Sequence, residues 1–358
     1  PMLQSISIFG AYFLSFLTVL LAGFLLQILS AKHIAKNIIY FVLCFGLNYG
    51  YGYVRLKNNP TEYDENYLVR LVNIKSDHAD KWNPQNAEKQ IATYQKYSMA
   101  PRLDGKTPRL IVWPETAIIK DLRDNGFAQQ VTSFLKPEQN LVAGYIRYSF
   151  FGDMHNTLGV FNSKGEILNF YDKRHLFPFW EYQPLGDWNL TSSIGPSKLE
   201  AGHKVNVLFA QGKSFFPIIC YEGGFSSSPY NHLPRANFMV VASNDIWFLN
   251  MAKVTNFKPF GFDYMGPMQH YQDVPLRSIE LGLPAYRSAN AGVNAVIDPF
   301  GREIKTHYYE EGYVDEFLIK PASPTPYTWW GDSLFLMVGA IILLALNLWQ
   351  NFYVSRKK

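Results

Sequence analysis

Apolar and polar positions are unevenly spread along this chain: both ends are continuously apolar, and the middle alternates. Ile6 to Leu29 holds no charged residue and is longer than the ~20 apolar residues a membrane-spanning helix needs. Ile38 to Val54 is shorter and carries Asn48, and Leu334 to Val354 forms a third apolar run. Trp329 and Trp330 precede that run and Trp349 and Tyr353 lie near its far end, as aromatic belts do at membrane interfaces. Three spans are therefore expected.

The middle reads differently. Strand-like runs recur at Arg70 to Ile74, Arg109 to Trp113, Leu141 to Tyr148, Thr157 to Phe161, Ile167 to Tyr171, Phe215 to Ile219, Asn237 to Ala242 and Gly292 to Ile297, several bounded by Gly, Pro, Asn or Asp. Helix-like patterns lie between them at Asn86 to Met99, Phe127 to Leu135 and Gln269 to Leu281, the last expected to kink or break at Pro275. Strands alternating with helices predict a layered α/β domain whose site forms at strand ends.

Charge gives this division an orientation. Lys32 and Lys36 lie between the first two spans and Arg356, Lys357 and Lys358 follow the last, so both places are expected in the cytoplasm. The chain then divides into two spans (1–54), an extracytoplasmic domain (55–330), and a C-terminal span with a basic tail (331–358). No Lys or Arg precedes Lys32, so the first run does not read as a signal peptide. The chain starts at Pro1, which suggests a piece of a longer protein. A net charge of +4 with no basic stripe argues against a nucleic-acid partner.

Candidate chemistry collects at three strand ends. Arg109 to Trp113 runs into Pro114 and Glu115, Ile167 to Tyr171 into Asp172 and Lys173, and Phe216 to Ile219 into Cys220, where Glu222, Gly223 and Gly224 turn the chain. Taken singly, these are a turn carboxylate, a solvated lysine and a core cysteine. Together they are a base, a cation and a nucleophile: the carboxylate accepts the thiol proton, the thiolate attacks a carbonyl carbon, and the cation with the Tyr221 backbone N–H stabilises the oxyanion. The two cysteines, Cys44 in an apolar span and Cys220, are not expected to pair. His155, His175, His203, His232, His270 and His307 lack close paired spacing, so structural or surface roles are expected for them, with no metal and no cofactor.

The order Glu, Lys, Cys in "WPETA", "YDKRHLFPFWEY" and "ICYE" resembles the carbon-nitrogen hydrolase (nitrilase) superfamily. With "VRLVNIKSDHADKWNP", "SNDIWF" and "QHYQDVPLRSIELGLPAYRSANAGVNAVIDPFGREI", essentially the whole chain is similar to the apolipoprotein N-acyltransferase family within it. The resemblance implies an α-β-β-α sandwich flanked by transmembrane helices, with Glu115 as general base, Lys173 as oxyanion stabiliser and Cys220 as nucleophile. It also implies supporting roles for Glu181, Tyr221 and Glu222 and a substrate-side role for Trp82 on a mobile arm. The implied partners are a phospholipid acyl donor, expected to be phosphatidylethanolamine, and diacylglyceryl apolipoproteins. The implied setting is a monomer in the bacterial inner membrane with its catalytic domain in the periplasm.

The chain departs from the family pattern at Trp180, where Gly is usual, and at Leu249 after "SNDIWF"; the family also has more N-terminal spans. A membrane-tethered amidase or nitrilase and an inactive lipid- or lipoprotein-binding protein remain open from the residues alone. The aromatic run from Ile246 to Met268 is expected to be either a loop packed on the core or a lid admitting acyl chains.

Overall fold

The architecture is a computed structural model that describes residues 1–75, 81–124, 126–183, 199–246, 248, 262–308 and 310–355. Two six-stranded sheets make its centre. The first contains β1 (Tyr63–Asn73), β2 (Leu110–Val112), β3 (Asn140–Tyr148), β4 (Met154–Phe161), β5 (Ile167–Asp172) and β12 (Gly312–Ile319), ordered β12-β1-β2-β3-β4-β5. The second contains β6 (Leu208–Ala210), β7 (Lys213–Ile219), β8 (Phe238–Asn244), β9 (Ala285–Asn290), β10 (Val293–Ile297) and β11 (Glu303–Tyr308), ordered β11-β10-β9-β8-β7-β6.

Alternation along the strands decides which face each residue takes. Val69, Leu71, Leu110, Val112, Leu158 and Val160 meet Phe215, Ile219, Phe238, Val240, Tyr286 and Val296 between the sheets. Their neighbours Val72, Ile111, Trp113 and Phe161 point the other way and pack on Ile91 and Tyr94 of α3 (Ala87–Ser98) and Phe127 and Val131 of α4 (Phe127–Thr132). Phe216, Ile218, Met239 and Val241 likewise cover Tyr271, Val274 and Leu281 of α5 (Phe262–Leu281). The result is the four-layer α-β-β-α sandwich. Each fully buried apolar side chain here contributes about 1.5–3 kcal/mol.

Of the kink or break expected at Pro275, the break does not occur: α5 runs on through both Pro267 and Pro275. The helix is held along its length by packing of Tyr271, Val274 and Leu281 on the second sheet, which offsets the lost backbone hydrogen bonds. The sequence pattern also passed over β6, β9, β11 and β12.

The apolar ends are helices docked on this sandwich. The first run breaks at Gly10 (φ +78), then forms α1 (Ala11–Leu29). A Cβ at Gly10 would lie 2.6 Å from the Tyr327 ring, so the break needs glycine for both its φ and its space. By length and composition, α1 is the one helix among the described residues able to cross a membrane. α2 (Ile34–Asn58) is long enough but carries Lys36, Asn37, Asn48, Arg55 and Lys57, and the described apolar part of α6 (Ser333–Ser355) is shorter, Ser333–Ala345. Gln4 Nε2 donates to the Phe300 carbonyl (2.9 Å) and Arg302 Nη2 to the Asn59 carbonyl (2.6 Å), fastening this end to the second sheet's loops.

On the opposite margin, Arg70 (1% exposed) makes a bidentate pair with Asp315 at 2.7 Å on each arm and also donates to the carbonyls of Tyr97, Ser98 and Ala100. This cluster ties β1, β12 and the end of α3 together. Arg70→Met would leave a buried carboxylate and three carbonyls short of donors. The expected cost of about 3–5 kcal/mol corresponds to a thermal midpoint lower by roughly 6–20 °C. An unchanged midpoint in a thermal melt would show that the pair contributes nothing net.

Candidate active site

Strand direction gathers the chemistry at one edge. β1, β2 and β3 are parallel, β4 is antiparallel to β3 and β5 antiparallel to β4, so β2, β3 and β5 end on the same side. β7, β8 and β9 are likewise parallel in the facing sheet.

After β2, Pro114 ends the pairing and the chain turns through Glu115 and Thr116, the latter at φ +47. Gly144 on β3 makes room for this turn: a Cβ there would lie 2.4 Å from Thr116 N and 2.7 Å from Glu115 Cα. After β5, Lys173 (1% exposed) reaches Glu115 Oε1 at 3.0 Å and Glu181 Oε2 at 2.8 Å. Asn156 Nδ2 on β4 donates to Glu115 Oε1 and Glu181 Oε1, both at 2.8 Å. The Phe177 backbone N–H donates to Glu181 Oε2 at 2.7 Å.

The buried charges set one another. Burial alone would push the Glu115 carboxyl up, but the Lys173 ammonium, the Asn156 amide and the Lys81 ammonium outweigh it and hold the group below its usual range. Burial would pull Lys173 down, yet Glu115, Glu181 and Cys220 raise it well above the usual lysine value. A carboxylate and an ammonium thus both persist in a dry site.

Cys220 follows β7 directly, 9% exposed and at φ +50, a left-handed conformation uncommon outside glycine. The five-residue 3₁₀ turn it opens, Cys220–Gly224, is clamped by Glu222. Glu222 Oε2 accepts from the Ile219 N–H (2.9 Å), and Oε1 accepts from Tyr171 OH (2.6 Å) and the Arg174 N–H (2.7 Å). This carboxylate therefore bolts the Cys220 turn to the strand end that carries Lys173. Burial, the largest influence, pushes its carboxyl up despite these donors. The Tyr221 ring packs edge-on against Phe177 and Phe225, and with Leu176, Pro178, Tyr182 and Arg174 it lines a cleft of about 310 Å³.

One charged group of the site, Lys81, was passed over by the sequence pattern. Lys81 (1% exposed) donates to the Glu115 carbonyl at 3.1 Å, and burial draws its ammonium down to about 7 against the pull of Glu115 and Cys220. It sits one residue before Trp82, whose half-buried ring lies 5.9 Å from the Lys81 ammonium. His270, expected to be structural or at the surface, pairs through Nδ1 with the buried Asp245 Oδ1 at 2.9 Å. Most of the Ile246 to Met268 run lies outside the described residues.

A carboxylate, an ammonium and a thiol at adjoining strand ends of a two-sheet sandwich are the groups that hydrolysis or acyl transfer at a carbonyl carbon needs. The chain belongs to the carbon-nitrogen hydrolase family, whose profile matches residues 68–313. Within it, the chain is a member of the apolipoprotein N-acyltransferase family. It is 30% identical over 98% of its length to the apolipoprotein N-acyltransferase of Sinorhizobium fredii, spanning 68% of that protein. It is also 31% identical over 85% of its length to that of Rhizobium etli, spanning 58% of it. Among solved structures, a CN-hydrolase superfamily protein from Xanthomonas campestris aligns at 16% identity and a TM-score of 0.49, covering 70% of this chain and 90% of that one.

The Glu115 carboxyl offers a linkage test. With its folded pKa below the usual 4.5, it contributes stability that is complete above that pH and is lost as the pH falls through the lower folded value. The difference in thermal midpoint between wild type and Glu115→Gln should therefore be largest near neutral pH and shrink in acid. A difference independent of pH would contradict the Lys173–Glu115 pairing.

Proposed function

We propose that this chain acylates the free α-amine of a diacylglyceryl-cysteine at the N-terminus of a lipoprotein, through a thioester on Cys220 and with a membrane phospholipid as acyl donor. The observation that carries the reading is the Lys173 ammonium, buried between Glu115 and Glu181 and electrostatically coupled to Cys220 at a strand end.

In the first step the Cys220 proton passes to Glu115 as Sγ attacks the carbonyl carbon of an sn-1 ester. Lys173 Nζ and the Tyr221 backbone N–H take the oxyanion. Collapse breaks the ester C–O bond, and Glu115 returns the proton to the departing glycerol oxygen, leaving a thioester and a lysophospholipid. In the second step the lipoprotein amine attacks the thioester and gives its proton to Glu115. The C–S bond breaks and the amide forms. Glu181 and Asn156 keep Lys173 and Glu115 in register, and Glu222 keeps the turn seated.

The surroundings suit lipid substrates. The cleft beside Tyr221 has aromatic and proline walls for an apolar chain and Arg174 for a phosphate. α1 is a membrane-crossing helix by composition, and α2 and α6 expose Leu43, Leu47, Ile341 and Leu343. We place all three helices in the bacterial inner membrane, the sandwich in the periplasm, and Trp82 on the substrate side of the site. Phosphatidylethanolamine is the donor we favour.

The test is incubation of the purified protein in micelles with labelled phospholipid and a synthetic diacylglyceryl-cysteine peptide bearing a free amine. Equimolar lysophospholipid and amide-linked peptide are expected; free fatty acid as the main product would make the protein a hydrolase instead. Cys220→Ser should abolish product, and Glu115→Gln should slow it by about 10²-fold or more.

A further inference from the structure

Two buried lysines hold Glu115, and the proposed reaction uses only one of them. Lys173 takes the side chain, reaching Glu115 Oε1 at 3.0 Å beside Asn156 Nδ2 at 2.8 Å. Lys81 takes the main chain, its Nζ donating to the Glu115 carbonyl at 3.1 Å. Among the described residues that carbonyl is the one hydrogen-bond acceptor of the Lys81 ammonium, and no carboxylate pairs with it.

This is a costly way to satisfy a carbonyl. A buried charge loses its hydration, and only close anions or a full set of acceptors offset that loss. Lys81 has a single neutral acceptor. A neutral side-chain amide could serve the same oxygen without burying a charge. The fold therefore gives up stability to keep an ammonium at this point, and such exceptions gather where chemistry is done.

What the ammonium holds is specific. Pro114 ends the pairing of β2, its carbonyl accepting from the Gly144 N–H at 3.1 Å, and the chain rejoins β3 where the Ile118 N–H donates to the Gly144 carbonyl at 3.0 Å. Between these points lie Glu115 and Thr116, the latter in a left-handed conformation at φ +47. Lys81 reaches this turn from a segment that α3 secures, since Gln90 Nε2 donates to the Lys81 carbonyl at 3.3 Å. Trp82 follows directly, its ring 5.9 Å from the same ammonium. One side chain thus connects α3, the Trp82 segment and the main chain of the candidate base.

We propose that Lys81 is a positioning residue for acyl transfer, its ammonium fixing the main chain of Glu115 so that the carboxylate is presented in one orientation. The proposal rests on Glu115 being the base of that reaction. Lys81 touches no substrate atom and exchanges no proton in this role; the thiol proton still passes to Glu115. The electrostatics agree with a place inside the site. Burial draws the Lys81 ammonium down to about 7 against the pull of Glu115 and Cys220, and Lys81 is in turn one of the cations that hold the Glu115 carboxyl below its usual range.

The experiment is steady-state release of lysophospholipid by the full chain in micelles, with labelled phospholipid and the diacylglyceryl-cysteine peptide, alongside thermal melts. In Lys81→Met, kcat should fall about ten-fold or more with the KM for phospholipid unchanged, because a small displacement of the base costs rate and not binding. The thermal midpoint should stay at the wild-type value or rise, since Met fills the space without a buried charge. A wild-type kcat in Lys81→Met, or a loss expressed in KM alone, would overturn the proposal. Should Lys81→Met melt lower than wild type, Lys81→Arg decides, because it keeps the charge and the donors: a kcat nearer to wild type supports the role, and a kcat nearer to that of Lys81→Met refutes it. Wild-type protein that releases no lysophospholipid would refute the acyl-transfer reading itself, an outcome read before any variant is compared.

Discussion

One buried ammonium governs the layout of the site. Moving a lysine charge out of water costs several kcal/mol even after relaxation, and only close, well-aligned anions offset it. Lys173 has two, Glu115 and Glu181, and Asn156 bridges both carboxylates. Meeting that requirement forces the ends of β2, β4 and β5 and the loop to Glu181 into fixed register. In the proposed reaction the same cluster would be a preorganised field for the negative charge that develops on the carbonyl oxygen.

The second sheet contributes the sulfur, and Glu222 joins the halves. Its two oxygens reach the backbone on either side of the divide, Ile219 from one sheet and Arg174 from the other. This clamp explains how Cys220 is kept at φ +50, a conformation that costs of order 1–3 kcal/mol and persists only where surroundings enforce it. The docked helices reach the same region from outside: Glu280 of α5, buried, accepts from Ser227 Oγ (2.7 Å) and from the Ala11 N–H at the start of α1 (3.3 Å). A short path of hydrogen bonds thus links the apolar helix to the loop beyond Cys220.

Much of this was legible in the sequence because sheet periodicity and strand-end chemistry are local signals. Val69 and Leu71 alternate with Arg70 and Val72, and Glu115, Lys173 and Cys220 each follow an apolar run closely. β9 was not legible: Ala285–Asn290 is buried throughout, yet it reads "AYRSAN" because its polar groups are satisfied by partners distant in sequence, such as Ser288 Oγ on the Val72 carbonyl. The pairing of His270 was not legible for the same reason. Paired spacing is a one-dimensional criterion, and the ring's partner Asp245 lies on a different element. At Pro275 the break that a local rule allows did not occur, because packing on the sheet carries the helix through.

The central claim is that the Lys173 cluster and the Glu222-clamped turn exist to make Cys220 an acyl carrier. It is tested most directly by peptide mass mapping of the protein after exposure to phospholipid with no amine acceptor present. The account predicts one acyl chain per molecule, on the peptide containing Cys220 and released by hydroxylamine at neutral pH. An acyl chain on any other residue, or lysophospholipid formed with Cys220 unmodified and no trapped intermediate, would contradict it.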